Sequence, residues 1–481
     1  MSDARDAEKD AGGLGLGPGD GGISDSTTAT STPPKGATPT PTLAEPAGGN
    51  TTPAPTPTGG TTTTTPAPTP AAAPAVPPEE GVRGWICVVG AWICLFCTFG
   101  FLAAIGVFQT VYQETTLRDY SSSDIAWIFS VQLALMWAPG PLFGRLIDTF
   151  GPAPVLYPGA ALCVFALCMT SLSTRYYQIF LSQGLVFGVG SGAVFTAGLV
   201  CVGQWFVRRR GLAGGIAASG SSMGGVVFPV MLNRLQADIG LPGALRYSAL
   251  LIGVLLASSI FMVRARLPPK RWDPKVKWFD FSLFGQKQFG LYSAGTFLTM
   301  WGLWGPFDFI SSMALQQGFS PDLALGLVSI INATSIPGRV LPPFYADRIG
   351  CFNVITGCSL LTGASILALW LPFNYHASHA GVIVFAAVYG FASGAFVSLL
   401  MPCAAKAGSI ETIGQRFGTF QVVMALSTLT GLPIMGAILG RQNNTDFSGL
   451  QLFSGVSCLA GGALLIPATY FLRLQLGTWK A

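Results

Sequence analysis

The chain has 481 residues, half of them hydrophobic and only 10% charged, with a mean hydropathy of +0.54. A water-soluble protein carries about a quarter charged residues, so this composition excludes a soluble globular fold. The net charge of +5 is too diffuse to mark a nucleic-acid surface.

Residues 1–78 are Thr, Pro, Gly, Ser and Ala with almost no large apolar side chain, as in "TTPAPTPTGGTTTTTPAPTP" at 51–70. Such a segment cannot bury enough surface to offset its ordering entropy, and a disordered tail is predicted. It lacks the basic stretch, apolar core and cleavage site of a secretory signal peptide. From Gly84 onward, apolar stretches of about 20 residues recur, each long enough for a helix to cross roughly 30 Å of hydrocarbon. Twelve are expected, at 84–110, 124–145, 153–173, 177–203, 211–233, 246–264, 288–313, 323–346, 352–372, 380–402, 417–440 and 450–472. These runs are too long for strands and lack alternation, and only helices satisfy every backbone group locally in lipid. The prediction is an all-α membrane protein: a first six-helix bundle over 79–265, a basic linker over 266–287, a second six-helix bundle over 288–475 and a short end at 476–481.

Twelve crossings put both ends on one side. With those ends inside, Arg118, Arg175, Arg234, Arg246 and Arg441 fall outside, Arg339 falls within helix 8, and every other Lys and Arg falls inside. Retention of positive residues on the cytoplasmic side fixes this orientation. The expected location is the plasma membrane, with a vacuolar or other organelle membrane as the alternative. Arg208, Arg209 and Arg210 anchor a cytoplasmic turn between helices 4 and 5 against anionic headgroups of membrane lipids. The sequon at Asn443 falls outside and is a glycosylation candidate; those at Asn50 and Asn332 fall in the cytoplasmic tail and inside a helix.

The halves repeat one another. "VFGVGSGAVF" (186–195) returns as "VYGFASGAFV" (388–397), and "IDTFG" (147–151) returns as "ADRIG" (346–350), at offsets of 202 and 199. Internal duplication in a many-helix membrane protein points to alternating access, with substrate held midway between the halves. The glycines and alanines of "GLAGGIAASGSSMGG" (211–225) allow close helix approach.

Two stretches carry a resemblance. "GRLIDTFGP" (144–152) is similar to the helix 2–3 signature of the major facilitator superfamily: Gly144, Arg145, Asp148 and Gly151 match, while Thr149 and Pro152 stand where basic residues are usual. "WFVRRRGLAGGIAASGS" (205–221) resembles the helix 4–5 signature of the monocarboxylate porter family, through Phe206, Arg209, Arg210, Leu212, Ala213, Gly215, Ala217, Gly220 and Ser221. "EGVRGW" (80–85) keeps Glu80, Gly81, Gly84 and Trp85 of that family's second signature, with Val82 and Arg83 departing from it. The resemblance covers 80 to about 475 and implies the major facilitator fold, two six-helix repeats, with the divergent cavity and long tail of the fungal branch.

That resemblance implies a gating or coupling latch built on Arg145 and Asp148. It also implies a substrate carboxylate held by Arg339, about 12 Å from the cytoplasmic turn, where a charge is costly and defaults to a functional hypothesis. The guanidinium fork suits a carboxylate. Asp308, late in helix 7, is a candidate for proton coupling or an outer gate. The familiar porters place a lysine in helix 1 and an aspartate one turn before the helix 8 arginine; here Ala103 and Ser335 stand there. Unmodified proton–lactate symport is therefore not expected. Gln132, Trp137, Gln183, Asn332, Ser335 and Gln421 are neutral polar candidates for the cavity, and Trp301 and Trp304 suggest a larger, partly aromatic ligand; each residue also has a packing explanation.

The expected function is secondary active transport of a small organic anion or metabolite, with efflux favoured and protons as a candidate coupling ion. Uptake of a monocarboxylate or a vitamin such as riboflavin is the alternative, and a non-transporting nutrient sensor a third. No phosphate-cradling Gly-x-x-x-x-Gly-Lys-Ser/Thr loop occurs, so ATP is not expected to drive transport. No enzyme constellation, cofactor or metal site is expected: the only histidines, His376 and His379, lie in an outer loop, and Cys94 and Cys97 read as packing residues.

Overall fold

The computed structural model describes residues 81–274, 277–406, 410–443 and 445–480. The tail reading for 1–78, the sequon at Asn50 and Glu80 of the second signature lie outside the described residues. Among those residues all regular structure is helical, and ten helices are long and apolar enough to cross a membrane. They are α1 (Val82–Thr116), α2 (Asp124–Phe150), α3 (Ala153–Leu172), α4 (Tyr176–Trp205), a 53-residue helix Arg210–Met262, α8 (Pro321–Ile349), α9 (Cys351–Phe373), α10 (His379–Lys406), α11 (Ile410–Arg441) and α12 (Ser448–Leu476).

Arg210–Met262 is two helices, α5 (210–239) and α6 (241–262), joined through Gly240 at φ 73°, ψ 166°. The outer loop expected at 234–245 is therefore mostly helical. A glycine in a backbone region closed to other residues stops α5, and Pro242 restarts the chain, since a first helical turn can spare its N–H. The seventh expected span is also present, as Lys287–Leu303 and Gly305–Gln316, together α7 (287–316). It breaks at Trp304 because Gly305–Pro306 follows: proline cannot donate to the preceding turn and its ring crowds that turn's carbonyl. Neither piece alone reaches the length of a span.

The halves meet along α2 against α11 and α5 against α8. Gly144 and Gly414 oppose each other so closely that a Cβ on either would run into the other's carbonyl. Along α5, Gly211 faces the Pro343 carbonyl, Gly215 the Arg339 carbonyl and Gly225 the Asn332 side chain. The small residues singled out in the sequence are the surface on which the second half rests, as expected of helices that must approach closely in lipid. On the perimeter Tyr157, Phe165 and Leu172 of α3 and Leu250, Val254 and Phe261 of α6 are exposed, an apolar rim that would aggregate in water and suits hydrocarbon.

Gly240→Ala should destabilise the protein by about 1–3 kcal/mol, the usual penalty for forcing a side chain into such a backbone conformation. Gly357→Ala, where a Cβ meets nothing within 4 Å, should not. Detergent-solubilised thermal unfolding midpoints of the two variants check the contrast.

Candidate functional site

The start of α1, the end of α12 and the linker between α6 and α7 lie on one side, here the linker side. Gly84 of α1 packs on Phe206, the Trp205 indole donates to the Arg264 carbonyl at 2.8 Å, and Asn353 of α9 donates to the Trp479 carbonyl at 3.1 Å. On this side two aspartates tie the halves together. Asp148, at the end of α2, accepts the backbone N–H groups of Gly414 (3.0 Å) and Gln415 (2.8 Å) at the start of α11. Asp347, at the end of α8, accepts those of Gly211 (2.7 Å) and Leu212 (2.9 Å) at the start of α5. A helix start exposes N–H groups with no intrahelical acceptor and carries a partial positive charge, so a carboxylate there answers both. The two aspartates occupy equivalent places in "IDTFG" and "ADRIG".

Arg145 does not complete a latch with Asp148. Its buried guanidinium lies against the rings of Trp272 and Trp278 in the linker, 4.1 and 4.3 Å from centroids that are themselves 5.3 Å apart, and donates to the Asp273 carbonyl at 2.8 Å. Among the described residues no hydrogen bond or ion pair joins Arg145 to Asp148.

Midway between the sides, Arg339 of α8 is buried and reaches across to α5, donating to the Ala218 carbonyl at 2.9 Å and to the Ser221 hydroxyl. Its Nε has no hydrogen-bond partner among the described residues. One turn earlier, Ser335 shares a hydrogen bond of 2.6 Å with Ser222 of α5. Asn332 donates to the Val328 carbonyl of its own helix and lies beside Gly225. Ala103 packs against the same glycine. On the α4–α11 side of the interface, the Gln421 amide donates to the Thr196 hydroxyl at 3.0 Å.

An aromatic cluster draws on both halves. Phe99 of α1 packs edge-on against Trp137 of α2 (5.6 Å between centroids) and Phe195 of α4 (5.3 Å), and lies parallel to Trp304 of α7 at 6.4 Å. Trp304 continues to Phe307 and thence to Tyr389 of α10, and Phe195 continues to Phe417 of α11. The indole N–H groups of Trp137 and Trp304, and Oε1 of Gln132 on α2, are buried without a hydrogen-bond partner among the described residues. Two other candidates lie elsewhere. Gln183 accepts the Tyr112 hydroxyl at 2.6 Å within the first half, and Trp301 packs on Phe453 of α12 and donates to Thr430 of α11 at 3.0 Å. Asp308 is exposed in the second piece of α7, with no side-chain partner among the described residues.

On the opposite side a carboxylate fastens two turns of the second half. Asp446, in the turn between α11 and α12, accepts the backbone N–H and hydroxyl of Ser448 (both 2.8 Å) and the amide of Asn374 (2.7 Å) from the turn between α9 and α10. These bonds, the Ser448 N–H foremost, hold its carboxyl below the usual range. Asn443 is exposed in the same turn. The cross-half polar ties described above run from the middle to the linker side, where the halves are held closed.

Sequence reading missed Asp347, Thr196, Ser221, Ser222, Phe99 and the linker tryptophans. The repeat of "IDTFG" as "ADRIG" carried the signal for Asp347; a lone phenylalanine or serine among dozens of apolar positions carried none.

Replacing Asp148 or Asp347 by Asn should loosen the linker side, each costing the closed form about 1–2 kcal/mol of charge–helix and N–H stabilisation. The double variant should lose about the sum, because the two carboxylates hold the starts of different helices. Reactivity of a cysteine introduced at Val207, exposed beside α5, reports the loosening.

The family model described as Major Facilitator Superfamily matches residues 91–432. The MFS-type transporter hasB of Aspergillus fumigatus is 38% identical over 410 residues, covering 82% of this chain and 91% of that protein. The Fujikurins efflux protein of Gibberella fujikuroi is 39% identical over 394 residues, covering 81% and 83%. Among solved structures, the human organic anion transporter MFSD10 superposes with a TM-score of 0.64 at 17% identity, covering 82% of this chain and all of that one.

Proposed function

Because this chain belongs to the Major Facilitator Superfamily, we propose that it is a secondary active transporter of the monocarboxylate-porter type that exports an acidic secondary metabolite from the cytoplasm. The observation that carries this reading is Arg339: a buried cation midway along the interface between the halves, bonded to α5 by its terminal nitrogen and left with a free Nε. Burying an arginine in a membrane is costly, and an unspent donor on it suits an anion that arrives and leaves. The aromatic cluster around Phe99, Trp137 and Trp304, with its two unpartnered indole N–H groups, supports a ligand with a flat apolar body and hydrogen-bond acceptors. Relatives named as efflux proteins support the outward direction.

In this reading the two six-helix halves rock about the central site. Asp148 and Asp347 close the cytoplasmic side, and the substrate reaches Arg339 once they let go. Ser335 and Ala103 stand where the familiar porters have titratable side chains, so any proton must use another group. Asp308 is the candidate: an exposed carboxylate in a membrane helix is tolerable where water reaches it, as in an outer vestibule.

Comparative profiling of cells and medium with the gene deleted and overexpressed identifies the substrate; export predicts accumulation inside deletion cells and depletion on overexpression. With that compound in proteoliposomes, Arg339→Ala should abolish transport while leaving the amount of folded protein unchanged, and Arg339→Lys should retain a small fraction, because an ammonium lacks the fork. Full transport by Arg339→Ala would remove the arginine from the site. If Asn443 faces the exterior and carries a glycan, Asn443→Gln should eliminate a mass shift that endoglycosidase also removes.

A further inference from the structure

The linker crosses the seam that must part when the cytoplasmic side opens, and it is bonded to both banks. On the first half, the Lys270 N–H donates to the Thr149 carbonyl at 2.7 Å, Trp272 lies parallel to Phe150 with centroids 5.8 Å apart, and the adjoining rings of Trp272 and Trp278 both lie over Arg145. On the second half, Lys270 Nζ meets Glu411 through its carbonyl (3.1 Å) and its carboxylate (3.5 Å), and the Gln415 amide donates to the Lys277 carbonyl at 2.8 Å. Thr149 is next to Asp148, and Gln415 supplies one of the two N–H groups that Asp148 holds. The linker therefore lies over the Asp148 latch.

We propose that the linker is a clasp: Trp272 and Trp278 hold Arg145 of α2, Lys270 and Lys277 are bonded to the start of α11, and the clasp must release before the cytoplasmic side opens. Each element contributes for a physical reason. A guanidinium is planar and weakly hydrated, so it can exchange water for two indole faces, and attraction to each face strengthens as water is excluded. The tryptophans remain about 40% exposed, with relative exposures of 40% and 43%, so they cover the arginine without being buried themselves and can lift away at modest cost. Lys270 and Lys277 then carry the grip across the seam. Arg145 is thus a positioning residue for the gate: it fixes the linker and does not bond Asp148.

The test places spin labels at Val207→Cys and Tyr345→Cys in a Cys168→Ser background, a pair on opposite halves of the linker side, exposed and away from the strap. Full-length protein in liposomes is read by pulsed electron–electron distance measurement. Trp272→Ala with Trp278→Ala should raise the ratio of the long-distance to the short-distance population about tenfold, equivalent to 1.4 kcal/mol at 25 °C. Trp272→Phe with Trp278→Phe should stay near the parent ratio, because a phenyl face still attracts the cation, and Arg145→Lys should fall between. A second reading covers the case in which the alanine pair does not fold. In Asp148→Asn protein, hydrogen exchange over 266–286 should speed up in step with the long-distance population. An unchanged ratio in folded alanine protein, or a linker that stays protected while the labels report an open side, overturns the clasp; so does failure of every variant to produce a long-distance population.

Discussion

A backbone N–H at the start of a helix has no acceptor within its own helix, and near a membrane it has little water to turn to. This protein meets that constraint by having each half complete the other. The exposed N–H groups of α11 are taken by Asp148 and those of α5 by Asp347, so the ends of α2 and α8 serve as caps for helices that belong to the opposite half. Four hydrogen bonds and two favourable charge–helix pairs thus help close the linker side, held where the glycine surfaces of α2, α5 and α11 bring backbones together. The same bonds are exchangeable: when the halves part, water can reach both carboxylate and N–H, so opening costs little beyond what hydration returns.

Much of this was legible in the amino-acid sequence because lipid imposes a length on every crossing and a duplication writes its signs twice. The apolar runs gave the helices, and the two halves were visible in "VFGVGSGAVF" against "VYGFASGAFV". Two elements were read too simply. The stretch 234–245 looked like a loop because it carries Arg234 and Asp238, yet polarity at a helix end says only that water is near; Gly240 marked the turn. Helix 7 looked continuous because its hydropathy hides the consequence of Gly305–Pro306.

The candidate site was legible where a residue was chemically out of place and illegible where it was ordinary. Arg339 stood out as a charge in an apolar run, and it does lie at the interface with a donor unspent. Gln421, Asn332 and Ser335 also lie along the interface, whereas Gln183 and Trp301 are occupied within their own halves, bonded to Tyr112 and Thr430. Nothing in the sequence distinguishes these two groups, because which face of a helix looks inward depends on neighbours hundreds of residues away. Arg145 is the sharper lesson. Its spacing to Asp148 suits a local ion pair, but the linker offers two aromatic faces and a carbonyl, and those win.

The glycine pair at Gly144 and Gly414 has a further implication for how such a carrier changes over generations. Each backbone fills the space where the other's first side-chain carbon would stand, so even one methyl group there acts as a wedge on the inner seam. A wedge of that kind leaves the substrate's contacts alone and alters how long the molecule rests facing each compartment. The resting bias of the transporter can therefore be retuned from a position on the seam rather than in the central site.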